Sequence, residues 1–262
     1  MPVDVSKQYK TSKNLRTRAN LHRTYANKSW FNWACGQAGF KAGSNIADIG
    51  CGTGWFWDQN QNALPSGLFV SLLDQSAQMV AEAQETLGKL SAITQVSGHV
   101  EIAEALPFED ASFDFVMALH MVYHLSDPDK ALNEMRRILR PDGKVMIAIN
   151  DSSNLKKVYE LNSQVFDVAP VDPSTVMAPP AKVAAMLAQR FDKITQLIYE
   201  DVYAIENAEV IFSTLTSYPP GSNATEEQQA QLISTIGERL EQSGGIIRSP
   251  HKVLLFIAEN PR

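Results

Sequence analysis

The sequence has very little cysteine: Cys35 and Cys51 are the only two in 262 residues. They carry no metal-ligand spacing and no framework of further cysteines, so neither a structural metal site nor a disulfide-stapled scaffold is expected. Basic charge is scarce as well, with 23 Lys and Arg against 29 Asp and Glu and a net charge of −6. Proteins that hold nucleic acid or an anionic membrane by broad electrostatics need the opposite balance. No apolar run approaches the roughly 18–20 residues that span a bilayer. The opening Met1-Pro2-Val3-Asp4-Val5 has no apolar stretch behind a basic flank of the kind that marks a secretory leader. Internal repeats and low-complexity tracts are missing too. These absences lead to the expectation of a soluble, reduced, cytoplasmic protein with no metal, no nucleic-acid partner and no membrane partner.

What the sequence does contain is organised around Asn45-Ile46-Ala47-Asp48-Ile49-Gly50-Cys51-Gly52-Thr53-Gly54. A short apolar run ends in an acid and then in three glycines on alternate positions. Glycine has no Cβ, so such a turn can take positive φ and bring backbone close to a nucleotide-like ligand. Downstream, strand and helix patterns alternate. Leu68–Asp74 reads as a buried strand ending in a second acid, and Ser76 caps a helix with Met79, Val80, Ala83 and Leu87 on one face. Residues 93–102 form a weaker strand, 103–114 a turn-rich connection, and Phe113–Leu119 another buried strand. Ser126 or Asp127 caps a helix whose buried face is Ala131, Leu132, Met135, Ile138 and Leu139. Arg136, Arg137 and Arg140 sit in its last turns. Pro141-Asp142-Gly143 is expected to stop it ahead of a strand at 144–149. This alternation calls for a parallel sheet covered on both faces.

Around that core the pattern changes. Residues 6–28 read as one or two basic helices, a candidate flap over a small-molecule site, and Ser29 caps a helix rich in aromatic residues (Trp30, Phe31, Trp33) that ends at Gly39 or Gly43. Past 150 come a helix at 155–166 and a stretch with Pro170, Pro173, Pro179 and Pro180, which reads as a lid or rim. Then come a helix with Val183, Met186, Leu187 and Phe191, a strand at 193–205 and a helix at 207–218. A capping box of Thr225 and Gln228 opens a helix carrying Leu232, Ile233, Ile236 and Leu240, and a terminal strand lies at 252–258. One domain is expected: helices and flap at 1–44, a ligand-binding core at 45–150, and completion of the sheet with a helical elaboration at 151–262.

Together, Asp48–Gly54, Asp74, Glu104-Ala105-Leu106-Pro107-Phe108 with Ser112-Phe113-Asp114, and Leu139-Arg140-Pro141-Asp142-Gly143 resemble a known family. The chain is similar to class I (Rossmann-type) S-adenosylmethionine-dependent methyltransferases, in the branch of the ubiquinone/menaquinone-biosynthesis-like enzymes. The resemblance covers about residues 45–150. It implies an α/β, Rossmann-like, doubly wound and mostly parallel sheet of about seven strands with helices on both faces. It implies S-adenosyl-L-methionine as cofactor and S-adenosyl-L-homocysteine as product. Asp48, Gly50, Cys51, Gly52, Thr53 and Gly54 would surround the methionine and ribose parts, and Asp74 would accept from both ribose hydroxyls. Gln75 and Met79 would flank adenine, Ala103 and Glu104 would lie at its edge, and Leu119 and His120 would lie beneath the sulfonium. Ile102 departs from the pattern, because many relatives carry there an acid that accepts from the adenine amino group.

For catalysis, His120 and His124 are candidate bases because they follow the fourth strand at the sheet's carboxyl edge. Tyr123 lies between them. Tyr9, His22, Tyr25, Trp55 and Tyr123 are candidates for the acceptor pocket. The resemblance implies a small-molecule acceptor methylated on oxygen, nitrogen or carbon, since neither an Asn/Asp-Pro-Pro-Tyr run nor a Pro-Cys pair follows the fourth strand. Two rival readings stay open at this point. One is a non-catalytic S-adenosylmethionine-binding regulatory protein of the same fold. The other is an NAD-dependent oxidoreductase, which also wants an acid about 20 residues beyond its glycine turn. Monomer and homodimer are both open.

Overall fold

The computed structural model describes residues 13–262. Helices α1 (Lys13–Tyr25) and α2 (Trp30–Ala38) precede the sheet. Ser29 caps α2 by accepting from the Asn32 amide, and Gly39 closes it at φ 66°.

The sheet has seven strands in the order β3-β2-β1-β4-β5-β7-β6. They are β1 (Asn45–Ile49), β2 (Leu68–Asp74), β3 (Ile93–Val100), β4 (Phe113–Leu119), β5 (Leu139–Asn150), β6 (Phe191–Ile205) and β7 (Ile247–Pro261). The first five are parallel, and β7 runs antiparallel to both of its neighbours, β5 and β6. The chain leaves β1 toward β2 and β3, then returns to place β4 on the other side of β1. The order therefore reverses between β1 and β4, which is where doubly wound sheets open a crevice at their carboxyl edge. The expected fold class stands.

Helices α3 (Trp55–Asn60), α4 (Ala77–Leu87) and α5 (Pro128–Ile138) make the crossovers. Each face of the sheet has its own core. Leu132 and Met135 of α5 pack with Val116, Ile147 and Phe256 on one face. On the other, Ala34 of α2, Trp57 of α3 and Leu87 of α4 pack with Ile46, Leu72 and Met146. A third core lies beyond the sheet's carboxyl edge. It joins Leu21 of α1 to Leu161 of α6 (Lys156–Val165), Ile211 of α9 (Ala208–Thr216) and Ile236 of α10 (Glu226–Gln242), against Tyr203 and Ile247. The first and last parts of the chain thus meet above the crevice.

Several local expectations are corrected. Helix α5 ends at Ile138, because Leu139 is already extended and pairs with Phe113 as the first residue of β5. Leu139 is buried in the sheet, and Arg140 is an ion-pair partner of Asp114 on β4. Pro141-Asp142-Gly143 lies inside β5, at a bulge in its pairing with β4. A Cβ on Gly143 would come within 2.7 Å of the Leu139 side chain and 3.0 Å of the Asp114 carbonyl, so the bulge needs glycine there. Phe191 opens β6 and is not helical. Ile233 lies 55% exposed, off the buried face of α10. The proline-bearing stretch, expected as a lid or rim, has helical structure of its own. It holds α7 (Pro173–Met177) and leads into α8 (Pro180–Ala188), and Asp172 is buried at its start.

Candidate active site

One cavity of about 600 Å³ runs along the carboxyl edge of the sheet. It begins at Asp74 on β2, passes Asp48 and the glycine turn, crosses His120 after β4, and ends at Asn150 on β5 and His251 on β7. Arg18 and His22 of α1, and Tyr159 and Asn162 of α6, close it from above.

The acidic end is held together by the glycine turn. The Gly50 and Cys51 amides both donate to the Leu73 carbonyl, at 2.7 and 3.0 Å, which ties the turn to the end of β2. The Gly52 amide donates to Asp74 Oδ2 at 3.2 Å and the Ser76 amide to Asp74 Oδ1 at 2.9 Å. Each carboxylate oxygen keeps a further lone pair, so Asp74 is aimed by backbone and still able to accept from a ligand. Burial raises its pKa against these bonds. Asp48 is more deeply set. Its Oδ2 accepts from Trp57 Nε1 at 2.8 Å, and burial pushes its pKa up to about 7, helped by the nearby Asp74 charge and opposed by the Trp57 bond. A buried carboxyl poised like this is stabilised in its ionised form by an incoming cation. Burial also pushes the Cys51 thiol up, which makes it an inert wall group.

Gly50 and Gly54 are glycine for different reasons. At Gly50 φ is 74°, and a Cβ would meet the Met121 side chain at 2.7 Å. Met121 lines the cavity, so the close approach shapes its wall. Gly54 is outside the lining. Its φ of 75° and the contacts a Cβ would make, 3.0 Å from Leu87 and 3.2 Å from Ala83, show that it lets α4 pack against the start of α3.

At the other end stand histidines. His120 takes the left-handed conformation, φ 54°, and its ring meets Trp30 edge-on at 4.7 Å. Burial lowers its pKa to about 3, with a smaller push from His22. His22 bonds Tyr203 through Nδ1 at 2.8 Å, and burial, with Arg18 nearby, holds it at about 4. His124 ends a 3₁₀ turn (Val122–His124), has its ring against Tyr123, and is lowered to about 4 by burial and then Arg18. All of these imidazoles are neutral at physiological pH. Trp55 also lines the cavity, with Arg23 4.5 Å above its ring and Phe31 edge-on to it.

The structure thus brings Asp48, Gly50, Cys51, Gly52, Thr53, Asp74, Gln75, Met79, Ala103, Leu119, His120, Tyr123, His124, His22 and Trp55 to one cavity. It does not bring the other candidates there. Glu104 turns away: its Oε1 accepts from the Ser126 amide and hydroxyl at 2.9 and 2.8 Å and from the Asp127 amide at 3.1 Å, anchoring the start of α5. Leu106-Pro107-Phe108 is likewise fastened to α5, through Arg137 to the Leu106 and Phe108 carbonyls and through Glu134 to the Leu106 amide. Tyr25 accepts from the Asn207 amide, outside the lining. Tyr9 lies outside the described residues. Ile102 is 44% exposed, but its neighbour Glu101 lines the cavity, so an acid reaches it one position earlier. Sequence reasoning missed the far wall altogether: Asn150, Asn154, Tyr159, Asn162, Asp172 and His251.

The segment that builds the acidic end and the sheet's centre, residues 47–147, matches the family model for the methyltransferase domain. Over these residues the chain is similar to a methyltransferase domain. Two of the curated relatives it matches are themselves methyltransferases. A malonyl-[acyl-carrier protein] O-methyltransferase of Erwinia pyrifoliae is 35% identical over 48% of this chain and 45% of its own length. A ubiquinone/menaquinone biosynthesis C-methyltransferase UbiE of Hahella chejuensis is 34% identical over 45% of this chain and 47% of its own. The chain therefore spans under half the length of these relatives. Among solved structures, the YcgJ protein from Bacillus subtilis aligns with a TM-score of 0.58 at 20% identity, over 88% of this chain and 97% of that one. The [4+2]-cyclase SpnF aligns at 0.59 and 15% identity, over 99% and 98%. At such identities the likeness is one of fold. Among the described residues, no helix is long and apolar enough to cross a membrane.

The residues of the acidic end fit the cofactor of this family. S-adenosylmethionine carries a vicinal diol, an ammonium and a sulfonium. The cavity offers a backbone-aimed carboxylate at Asp74, and at Asp48 a carboxyl whose raised pKa makes it responsive to positive charge. The family match favours this cofactor over the dinucleotide of the rival oxidoreductase reading.

Proposed function

We propose that the protein transfers the methyl group of S-adenosylmethionine to a small-molecule acceptor bound at the histidine end of the cavity. The observation that carries this reading is the division of one cavity into two chemically different ends, which meet at His120. The cofactor, when bound, supplies a methyl group on a sulfonium, an electrophile with a good leaving group. This chain's residues have then to hold, align and desolvate. Asp74 accepts from the ribose hydroxyls, Asp48 faces the amino end, and Gly52 and Thr53 let backbone lie against the ligand. Gln75 and Met79 flank the adenine with Ala103, and Glu101 takes the place of the acid missing at Ile102.

His120 sits where the two ends join, with Tyr123 and His124 beside it on the same cavity wall. Alignment of acceptor and methyl and exclusion of water supply most of the rate in such a displacement. For a hydroxyl acceptor, neutral His120 is the proton acceptor of the reading, with His124 second. His22, Trp55 and Tyr123 belong to the acceptor wall. The substrate is a free small molecule, not nucleic acid and not lipid in a bilayer, and the acceptor atom is oxygen, nitrogen or carbon.

The test is a screen of metabolite fractions with methyl-labelled S-adenosylmethionine. Label appearing in a small molecule is the expected result. Tight cofactor binding with no labelled product in any fraction would favour the regulatory alternative.

A further inference from the structure

The far wall of the cavity holds a buried chain of three side chains, none of them assigned above. Asp172 is buried and receives four donors: the side-chain amides of Asn150 and Asn154 on Oδ2, at 2.8 and 2.9 Å, and the Ser174 amide and hydroxyl on Oδ1, at 3.0 and 2.7 Å. Asn154, itself buried, therefore points its NH₂ at Asp172. Its Oδ1 accepts from the Lys252 amide at 3.1 Å, which fixes the same orientation from the other side. That oxygen also lies 3.0 Å from His251 Nδ1. An oxygen with no hydrogen can only accept, so Nδ1 must carry the proton.

His251 is 1% exposed, and its surroundings keep it neutral. Its single ring proton is thus committed to Nδ1, and Nε2 is left as a bare lone pair. Nε2 is buried and has no hydrogen-bond partner among the described residues. Buried acceptors of this kind are normally satisfied, and the residue that carries this one lines the ligand cavity, so a donor reaching Nε2 from that side would complete it.

We propose that His251 Nε2 accepts a hydrogen bond from a hydroxyl of the methyl-accepting substrate, and that the Asp172–Asn154 pair positions it by fixing its tautomer. The inference rests on the reading of this cavity as a methyl-acceptor site. The donor is an uncharged hydroxyl on an apolar body. A carbonyl or carboxylate would oppose one acceptor with another. A cationic group would enter among the rings of His22, Tyr199 and Tyr203, which surround His251 without a countercharge in contact with it. His251 is a specificity-determining residue in this account, distinct from the proton acceptor proposed at His120.

The experiment uses the full chain with ¹⁵N-labelled histidine, saturated with S-adenosylhomocysteine, and follows the His251 ring nitrogens by NMR while phenol or anisole is added. Before addition, the expected state is a protonated Nδ1 and an unprotonated Nε2. Phenol shifts the Nε2 signal, and anisole, which has the same ring and no hydroxyl proton, does not. His251→Phe keeps a ring and removes the acceptor, so phenol affinity falls by about tenfold or more while S-adenosylhomocysteine affinity is unchanged. A protonated Nε2 in the free protein overturns the proposal. So does an equal response to phenol and anisole, or unchanged phenol affinity in the variant. The wild-type titration decides even where the variant folds poorly. If S-adenosylhomocysteine does not bind, it is the functional reading that falls, and the tautomer and phenol response are then read on the ligand-free chain.

Discussion

Asp48 offers the sharpest test of the cofactor assignment, because one substitution there should move stability and affinity in opposite directions. Its carboxyl is 3% exposed, and its pKa is raised from 3.8 to about 7. The folded protein therefore holds this proton more tightly than the unfolded chain does. The stability it contributes is complete at low pH and declines as pH rises from about 4 to about 7, where ionisation of a buried acid is forced. At about 1.4 kcal/mol per unit, the full penalty approaches about 4 kcal/mol, of which about 3 kcal/mol accrues between about pH 5 and about pH 8. Asp48→Asn cannot ionise and can still accept from Trp57 through its amide oxygen. Denaturant unfolding of the ligand-free variant should accordingly show about 3 kcal/mol more stability relative to wild type at about pH 8 than at about pH 5.

Affinity should go the other way. The cofactor keeps both its positive charges from about pH 5 to about pH 7 and needs Asp48 ionised, so binding to wild type should weaken about fiftyfold from about pH 7 to about pH 5. In the variant, affinity at about pH 8 should drop roughly tenfold to a hundredfold, the worth of a charged hydrogen bond, and its pH dependence should flatten. Calorimetric titrations at the two pH values measure this. A wild-type affinity that is level across the range, or a variant with the wild-type pH slope of stability, would refute the assignment of Asp48 to the cationic end of the ligand.

Other substitutions separate ligand contacts from scaffolding. Gly50→Ala adds a Cβ 2.7 Å from Met121 at a φ of 74°, so about 2–4 kcal/mol of strain should appear in denaturant unfolding, with weaker cofactor binding as the turn shifts. Asp74→Ala should weaken S-adenosylmethionine by roughly tenfold to a hundredfold in a calorimetric titration, since two ribose hydroxyls lose one acceptor; unchanged affinity would remove the ribose role. Glu104→Ala strips the Ser126 and Asp127 donors of their partner and should cost about 2–3 kcal/mol in unfolding while leaving cofactor affinity intact at a temperature where the variant is folded. A specific loss of affinity would instead return Glu104 to the binding site.

The acidic end was legible in the sequence because its logic is local. Asp48 and Asp74 each end a buried strand beside a turn, and the strand direction alone puts both at one edge. Glu104 was misplaced because a motif gives a residue's position in the chain and not the direction of its side chain. Here the start of α5 offers that carboxylate three donors, and the ligand side cannot compete. Leu139 was read as helical since its spacing continues the face of α5, but pairing with Phe113 across the sheet outweighs one more turn of helix. His251, Asn154 and Asp172 escaped notice for another reason. They come from β7, the start of α6 and the loop before α7, and only the antiparallel course of β7 brings them together.

That course also sets an order of events. Strand β6 is made before β7 yet has no neighbour in the sheet except β7, which lies between it and β5. As the chain emerges, β6 must wait unpaired until residues 247–261 arrive, while the five parallel strands and the acidic end are already complete at residue 150. In the order of synthesis the glycine turn therefore precedes the wall that carries His251 by about two hundred residues.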